Sequence, residues 1–442
     1  MYNKIINKIK DKSLVIIGFG KEGKSSYNFI RKYLPNKNVT IVDRNEKLLE
    51  QNVFLNNDKN VTVVMGEQYL DNINDFDMII KSPGVKIPDE LFAIVKDKVT
   101  SQLELLLEVD KDNIIGITGT KGKSTTSSLL YKIMKDQGID CLLLGNVGNP
   151  ILDYIEDIKD NTKLVIECSS YQLEMVHYSP HIGIILNLFE DHLIYHVYLE
   201  EYWKSKLNMF KYQNTNDYML YDSESVNLNN MVNSNNYQSK KIDISKDFVI
   251  NGNNILYKGK KIFDKNSERN IIGDHNLKNI LYVLRVCILL DLDLDKARDS
   301  IKDFKPLKHR MEYFGTYNGV KYYDDTIATI PEATINCIEA LKYVDTLIFG
   351  GLDRGINYSS LIDYLNKSNV KNIIAMPDTG YKLADKIKNK NVIKVEKLED
   401  AVKIAKEVTK KICLLSPAAP SYNAFKNFEE KGDLFKDLVK KE

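Results

Sequence analysis

Short β-branched and aliphatic runs alternate with stretches of helical period along most of the chain. In the first hundred residues Ser13–Gly18, Val39–Asp43, Val61–Val64 and Met78–Lys81 read as strands, with a helix over Gly23–Tyr33. Runs that are apolar at nearly every position suit strands covered on both faces, and intervening helices supply the crossovers of parallel βαβ units. A second strand-turn-helix starts at Asn113–Thr118, and its helix carries Leu129, Leu130, Ile133 and Met134. Lys163–Cys168 and Ile182–Asn187 add buried strands, and Leu199–Phe210 reads as a helix. Residues 223–265 are rich in Asn, Ser and Lys, and are expected to form a meander or loops at the edge of this second unit. Helices are predicted over His275–Leu290 and Leu294–Phe304, with Pro306 a candidate hinge. Strands at Lys321–Asp324, Thr346–Phe349, Asn372–Met376 and Ile412–Ser416 then alternate with helices, a third α/β unit. No repeat of solenoid period is present.

Composition narrows the class. The 442 residues are 43% hydrophobic and 28% charged, with a formal charge of +1. A balance so near neutral offers no field for nucleic acid or an anionic membrane, so local clusters must attract any phosphate. The N-terminus lacks an apolar stretch followed by a small-residue cleavage site, and no run approaches the roughly 20 residues that span a bilayer. Cys141, Cys168, Cys287, Cys337 and Cys413 are scattered, odd in number and mostly in apolar surroundings. They read as reduced, buried thiols of a cytoplasmic protein without stable membrane association.

Two glycine turns carry candidate chemistry. Gly116-Ile-Thr-Gly119-Thr120-Lys121-Gly122-Lys123-Ser124-Thr125-Thr126 follows an apolar strand and opens a helix. Such a turn aims backbone N–H groups at an anion, where the helix dipole adds roughly half a positive charge. Lys123 is placed to neutralise phosphate oxygens and Ser124 to ligate Mg²⁺. Five residues separate Gly116 from Gly122, one more than the strict P-loop pattern allows. The earlier turn, Gly18-Phe-Gly20-Lys21-Glu22-Gly23, with Asp43 closing the next strand, fits the dinucleotide fingerprint by spacing. That geometry cradles any diphosphate, so a nucleotide-diphosphate substrate with its base or ribose near Asp43 and Arg44 fits as well as NAD or FAD. The turn Ser82-Pro-Gly84 is placed to close over it.

Glu167 ends an apolar strand, where it is either a Mg²⁺ partner or a capping acid. Asp191-His192 lies beyond another strand end. On the helix after it, Leu199, Tyr202, Trp203, Lys206 and Phe210 form one stripe, which puts a lysine on an apolar face. Lys206 either snorkels out, or is buried with a lowered pKa and reacts with CO₂ to give a carbamate.

These motifs, in order with His275-Asn276-Leu-Lys-Asn279, His309-Arg310-Met-Glu and Ser416-Pro-Ala-Ala-Pro-Ser421 before Phe425-Lys-Asn-Phe428, resemble the Mur ligase family over nearly the full length. The resemblance is nearest to the branch that adds glutamate to UDP-N-acetylmuramoyl-L-alanine. It implies a UDP-binding Rossmann-like domain at 1–101, a central P-loop ATPase-like α/β domain at 102–306, and a Rossmann-like amino-acid-binding domain at 307–442. It implies ATP-dependent peptide-bond formation with D-glutamate through an acyl phosphate, in cytoplasmic peptidoglycan precursor synthesis by a monomer. Ser124 and Glu167 would hold one Mg²⁺, and His192 with N-carboxylated Lys206 another. Asn276 and Asn279 would face adenine, Arg310 and Asp325 would reach ATP, and Asn146 and Gln172 the muramoyl portion. Thr329, Arg354, Ser421 and Phe428 would line the glutamate pocket.

The third unit departs from the usual D-glutamate enzyme. Its Asp-Ser-Lys-Ala-Thr-Asn reads Asp325-Thr-Ile327-Ala-Thr-Ile330 here, and Arg354 stands where a lysine is usual. Both changes resemble the branch that adds L-glutamate. Arg354 can still grip a carboxylate with two parallel bonds. L-glutamate as acceptor, and a nucleotide-binding member without catalysis, are the alternatives.

Overall fold

The computed structural model describes residues 1–146, 150–191, 193–196 and 198–441. Three α/β units follow one another. The first is a parallel five-stranded sheet ordered Val61–Met65, Val39–Asp43, Leu14–Ile17, Met78–Lys81, Val99–Thr100. Leu14–Ile17 is buried at every position, as a strand covered on both faces requires. The helix Lys21–Tyr33 starts two residues before the sequence-based expectation, because Gly20 and not Gly23 forms its N-terminal boundary. Gly23 is instead the close-packing glycine: a Cβ there would lie 2.0 Å from the Gly18 carbonyl oxygen.

The second sheet is parallel and six-stranded, ordered Lys240–Asp243, Tyr218–Tyr221, Ile182–Ile185, Ile114–Thr118, Lys163–Glu167, Cys141–Gly145. Its central strand, Ile114–Thr118, ends at the second glycine turn, between neighbours that end at Glu167 and Ile185. The helices Lys123–Asp136, Asp274–Leu289 and Leu294–Asp303 cover one face, burying Leu129, Leu130, Ile133, Met134, Ile280 and Val283 in a common core. The expected meander is only the antiparallel sheet Phe248–Asn251, Asn254–Tyr257, Lys260–Asp264. The segment before it is not peripheral loop. It contributes the helix Val226–Asn233 and an edge strand of the central sheet. Only Ile242 and Asp243 of that strand are buried, so its polar composition disguised it.

The third sheet is ordered Glu312–Tyr317, Val320–Asp324, Ile412–Leu415, Thr346–Phe349, Asn372–Ala375, Asn391–Lys394, parallel except for its first pair. Its central strands Thr346–Phe349 and Ile412–Leu415 are buried throughout. All five cysteines are buried thiols. Among the described residues no helix is long and apolar enough to cross a membrane.

Candidate active site

The turn after Ile114–Thr118 needs glycine twice. Gly119 and Gly122 have φ of +146° and +88°, and a Cβ on Gly122 would sit 2.7 Å from Asn279 Oδ1. Asn187 fixes the turn from the neighbouring strand end, its carbonyl accepting from Thr120 N and its Oδ1 from Lys121 N. The helix Lys123–Asp136 starts at Gly122, so its free N–H groups and positive dipole end face the turn. Lys123 Nζ folds back onto the Gly119 and Thr120 carbonyls at 2.9 and 3.0 Å. Ser124, Thr125 and Thr126 are buried on the first turn.

Beside it lies a cleft of about 710 Å³, counting space open to solvent, between the second and third units. Lys121, Gly122, Thr125, His275, Asn276 and Asn279 line one wall; Arg310, Asp325, Ile327 and Asn336 are among those lining the other. The two asparagines hold each other, Asn279 donating to Asn276 Oδ1 at 3.2 Å and Asn276 to the Ile272 carbonyl at 2.8 Å.

Deeper in, Glu167 is 1% exposed. Asn146 donates to its Oε1 at 2.8 Å, while Oε2 has no hydrogen-bond partner among the described residues. Lys206 is also 1% exposed, so it does not snorkel. Its ammonium lies 4.6 Å from the centre of the Tyr202 ring and makes no ion pair with a described residue. Burial, then the charge of Lys123, holds it well below the usual lysine range, with Asp191 and Glu167 opposing. Burial likewise lowers Lys123 and Arg310, and brings Lys121 to about 8. Lys121, Lys123, Arg310 and Arg354 lie round Glu167, Asp191 and Asp325, with the Lys206 amine among them. A surplus of buried, weakly screened cations suits a polyanion.

Three hydrogen bonds between described residues cross the cleft here. Arg310 Nη2 reaches Ser124 Oγ at 3.4 Å, and Lys121 Nζ donates to Thr329 Oγ1 at 2.9 Å. Arg354 Nη2 donates to Asp191 Oδ1 at 2.6 Å, and Lys121 stands 3.6 Å from the other oxygen. Arg310 is presented by a turn with His309 and Met311 at φ of 61° and 44°. Asp325 pins that turn by accepting from Met311 N at 3.0 Å and from Ser416 Oγ at 2.8 Å. Burial pushes its carboxyl up to about 7. Ser421 is buried, and its Oγ has no partner among the described residues. Phe428 begins the last helix, its ring 5.9 Å from that of His309.

At the first glycine turn, Gly18 has φ of +81° and its carbonyl accepts from Ser82 Oγ at 2.8 Å. Gly20 and Gly84 have nothing within 4 Å of an added Cβ, which leaves backbone open to a ligand. Lys21 is exposed beside them. Asp43 accepts from Phe19 N at 2.7 Å and so braces the turn, while Arg44 is exposed and pairs with Glu67. Gln172 joins the first unit to the second by donating to Glu22 Oε1 at 2.9 Å.

Comparison with known proteins agrees with this arrangement. The family model for the MurD-like N-terminal domain of Mur ligases matches residues 12–101, that for the Mur ligase middle domain 117–287, and that for the Mur ligase glutamate ligase domain 309–418. A UDP-N-acetylmuramoylalanine–D-glutamate ligase from Clostridium kluyveri is 32% identical over 98% of this chain and 97% of its own. The chain belongs to the Mur ligase family. The enzyme of the same name from Clostridium tetani is 31% identical over 99% of each chain. In fold, the UDP-N-acetylmuramate–alanine ligase of Thermotoga maritima is similar with a TM-score of 0.58, at 19% identity over 96% of this chain and 98% of that one.

Mur ligases use ATP and Mg²⁺, and the residues present fit the metal. The partnerless Glu167 oxygen and the Ser124 hydroxyl are hard oxygen donors beside the turn. His192 lies outside the described residues. Asp191, whose carboxylate joins Arg354 to Lys121, stands beside His192 in the sequence, where pattern alone assigns it no role. Its place beyond a strand end was the available signal. Lys81, buried and brought down to about 8, was also missed, because the fully apolar run before it reads as core.

Proposed function

We propose that this Mur ligase is a cytoplasmic, monomeric enzyme that uses ATP to join D-glutamate to UDP-N-acetylmuramoyl-L-alanine. The observation that carries this reading is the cation surplus around Glu167, at a helix-capped glycine turn, in a chain whose relatives bear that name. The domains are 1–101 for the UDP substrate, 102–306 for ATP and 307–442 for the amino acid. Gly18, Gly20, Lys21, Glu22, Gly23, Asp43, Arg44, Ser82, Gly84, Asn146 and Gln172 serve the first. Gly119 to Thr126, Asn276, Asn279, Arg310 and Asp325 serve the second. Thr329, Arg354, Ser421 and Phe428 serve the third.

The substrate carboxylate attacks the γ-phosphorus of ATP, the bond to the β-bridging oxygen breaks, and ADP leaves. Lys123 and Arg310 stabilise charge on the equatorial oxygens. The glutamate amine, having lost a proton, attacks the acyl phosphate carbon, and inorganic phosphate departs. Contacts across the cleft exclude water that would hydrolyse the acyl phosphate. Ser124 and Glu167 would hold one Mg²⁺ and His192 with Lys206 a second, supplying positive charge to the triphosphate. Burial favours the neutral Lys206 amine, which would take up CO₂ with release of a proton to solvent, and the carbamate would place an anionic oxygen ligand among the remaining cations.

L-glutamate as acceptor is the second reading, favoured by Ile327 at the cleft wall, Ile330 in the core and Arg354 in place of lysine. One assay tests both. Protein with ATP, Mg²⁺ and UDP-N-acetylmuramoyl-L-alanine is expected to release phosphate at a rate raised by D-glutamate over L-glutamate. Faster release with the L isomer reverses the stereochemical choice, and release with neither removes the ligase reading.

A further inference from the structure

The last helix, Phe428–Lys440, turns Lys431, Gly432, Phe435, Lys436 and Val439 inward. Two lysines on the buried face of one helix are unusual, since lysine is almost never buried unless paired. Lys436 is paired, with Glu312 at 2.6 Å and Asp324 at 3.2 Å. Lys431 is 1% exposed and has no ion-pair partner among the described residues. Its ammonium donates to the Gly350 carbonyl at 2.9 Å, and the Phe425 ring lies 5.7 Å away. A buried cation without a counterion is unfavourable, and a methionine would fill the same space. What only the lysine supplies is the bond to Gly350.

That carbonyl belongs to the turn leading from Thr346–Phe349 to Arg354. Its other side is fixed by Gly350 N donating to the Pro417 carbonyl at 3.0 Å and Leu352 N to the Pro420 carbonyl at 2.7 Å. There is no room for slack: a Cβ on Gly351 would lie 2.3 Å from the Pro420 oxygen. At the end of the turn Arg354 donates to Asp191 and to the Thr329 carbonyl. The turn is thus tied to the sheet on one side and to Lys431 on the other. We propose that Lys431 is a positioning residue for glutamate, setting through the Gly350 carbonyl the turn that holds Arg354. This rests on the reading that Arg354 meets the incoming amino acid.

The test compares Lys431→Met, Arg354→Ala and the double variant by steady-state kinetics, varying glutamate, ATP and the UDP substrate in turn. Loss of one positioning hydrogen bond predicts a glutamate KM raised about five- to tenfold, with the other two KM values within about twofold. In the Arg354→Ala background Lys431→Met is expected to add less than about twofold, because both act on one interaction. Equal rises in all three KM values, no rise, or full multiplication in the double variant overturns the role of Lys431. An Arg354→Ala enzyme with unchanged glutamate KM removes the underlying reading and the proposal with it, a distinguishable result. Should Lys431→Met not fold, Lys431→Gln carries the same comparison, its amide nitrogen falling one atom short of the ammonium. It is expected to show the same glutamate-only rise, and a uniform rise or none overturns the proposal.

Discussion

Replacing Gly122 by alanine perturbs the second glycine turn and the Asn279 side of the cleft with one methyl group. At φ of +88° an alanine is strained by about 1 kcal/mol. The new Cβ would lie 2.7 Å from Asn279 Oδ1, 3.1 Å from Nδ2 and 3.2 Å from Leu186 Cδ1, so the Asn279 amide must swing away. Its bond to Asn276 then breaks, at a further cost of about 1 kcal/mol. The sum of about 2 kcal/mol predicts a melting temperature about 4–8 °C lower for a domain of roughly 200 residues. If Asn279 faces adenine, the ATP KM rises about 5–30-fold, while the KM of the UDP substrate stays put. Gly252→Ala is the control, because Gly252 has φ of +61° with nothing within 4 Å of an added Cβ. It carries the strain without the clash, and is expected to lower stability alone. The assay is phosphate release against ATP concentration, with a thermal melt of each protein. An unchanged ATP KM in Gly122→Ala, or an equal rise in Gly252→Ala, refutes the reasoning.

Two further predictions concern buried titratable groups. Lys206→Ala is expected to abolish turnover without rescue by high bicarbonate, and ¹³C-bicarbonate is expected to give a carbamate resonance only in the parent protein; full activity in the variant would eliminate the carbamate role. Asp325 keeps its proton to about 7 in the folded protein against 3.8 when exposed, so its contribution to stability is whole below pH 3.8 and fades as pH rises through 7. Over that window Asp325→Asn is expected to remove a fall of up to about 4 kcal/mol, read from urea midpoints at pH 4 and pH 8; identical pH dependence in the two proteins rules the assignment out.

The strands at the centre of each sheet were legible because burial on both faces leaves a continuous apolar run, as in Leu14–Ile17, Lys163–Glu167 and Ile412–Leu415. Strands at sheet edges were not. Lys240–Asp243 and Asn391–Lys394 are half solvated, and their polar residues read as loop. The glycine turn at Gly119–Lys123 was legible because positive φ at Gly119 and Gly122 demands glycine there. Helical period put Lys206 on an apolar stripe, but it left burial and snorkelling both open, and the packing around Tyr202 decides for burial. What periodicity could not reveal was contact across units. Arg354 with Asp191, separated by 163 positions, depends on how the second and third units meet, and Lys431 with Gly350, 81 apart, on how the last helix packs within the third.

The claim on which the mechanism depends is that a substrate carboxylate is activated by phosphoryl transfer before the amine attacks. UDP-N-acetylmuramoyl-L-alanine carrying ¹⁸O in its alanyl carboxylate tests it directly, with the released phosphate analysed by mass spectrometry after turnover with ATP and glutamate. One ¹⁸O per phosphate is the expected result. Phosphate free of label, with amide still formed, would contradict the acyl phosphate and the role given to the cations around Glu167.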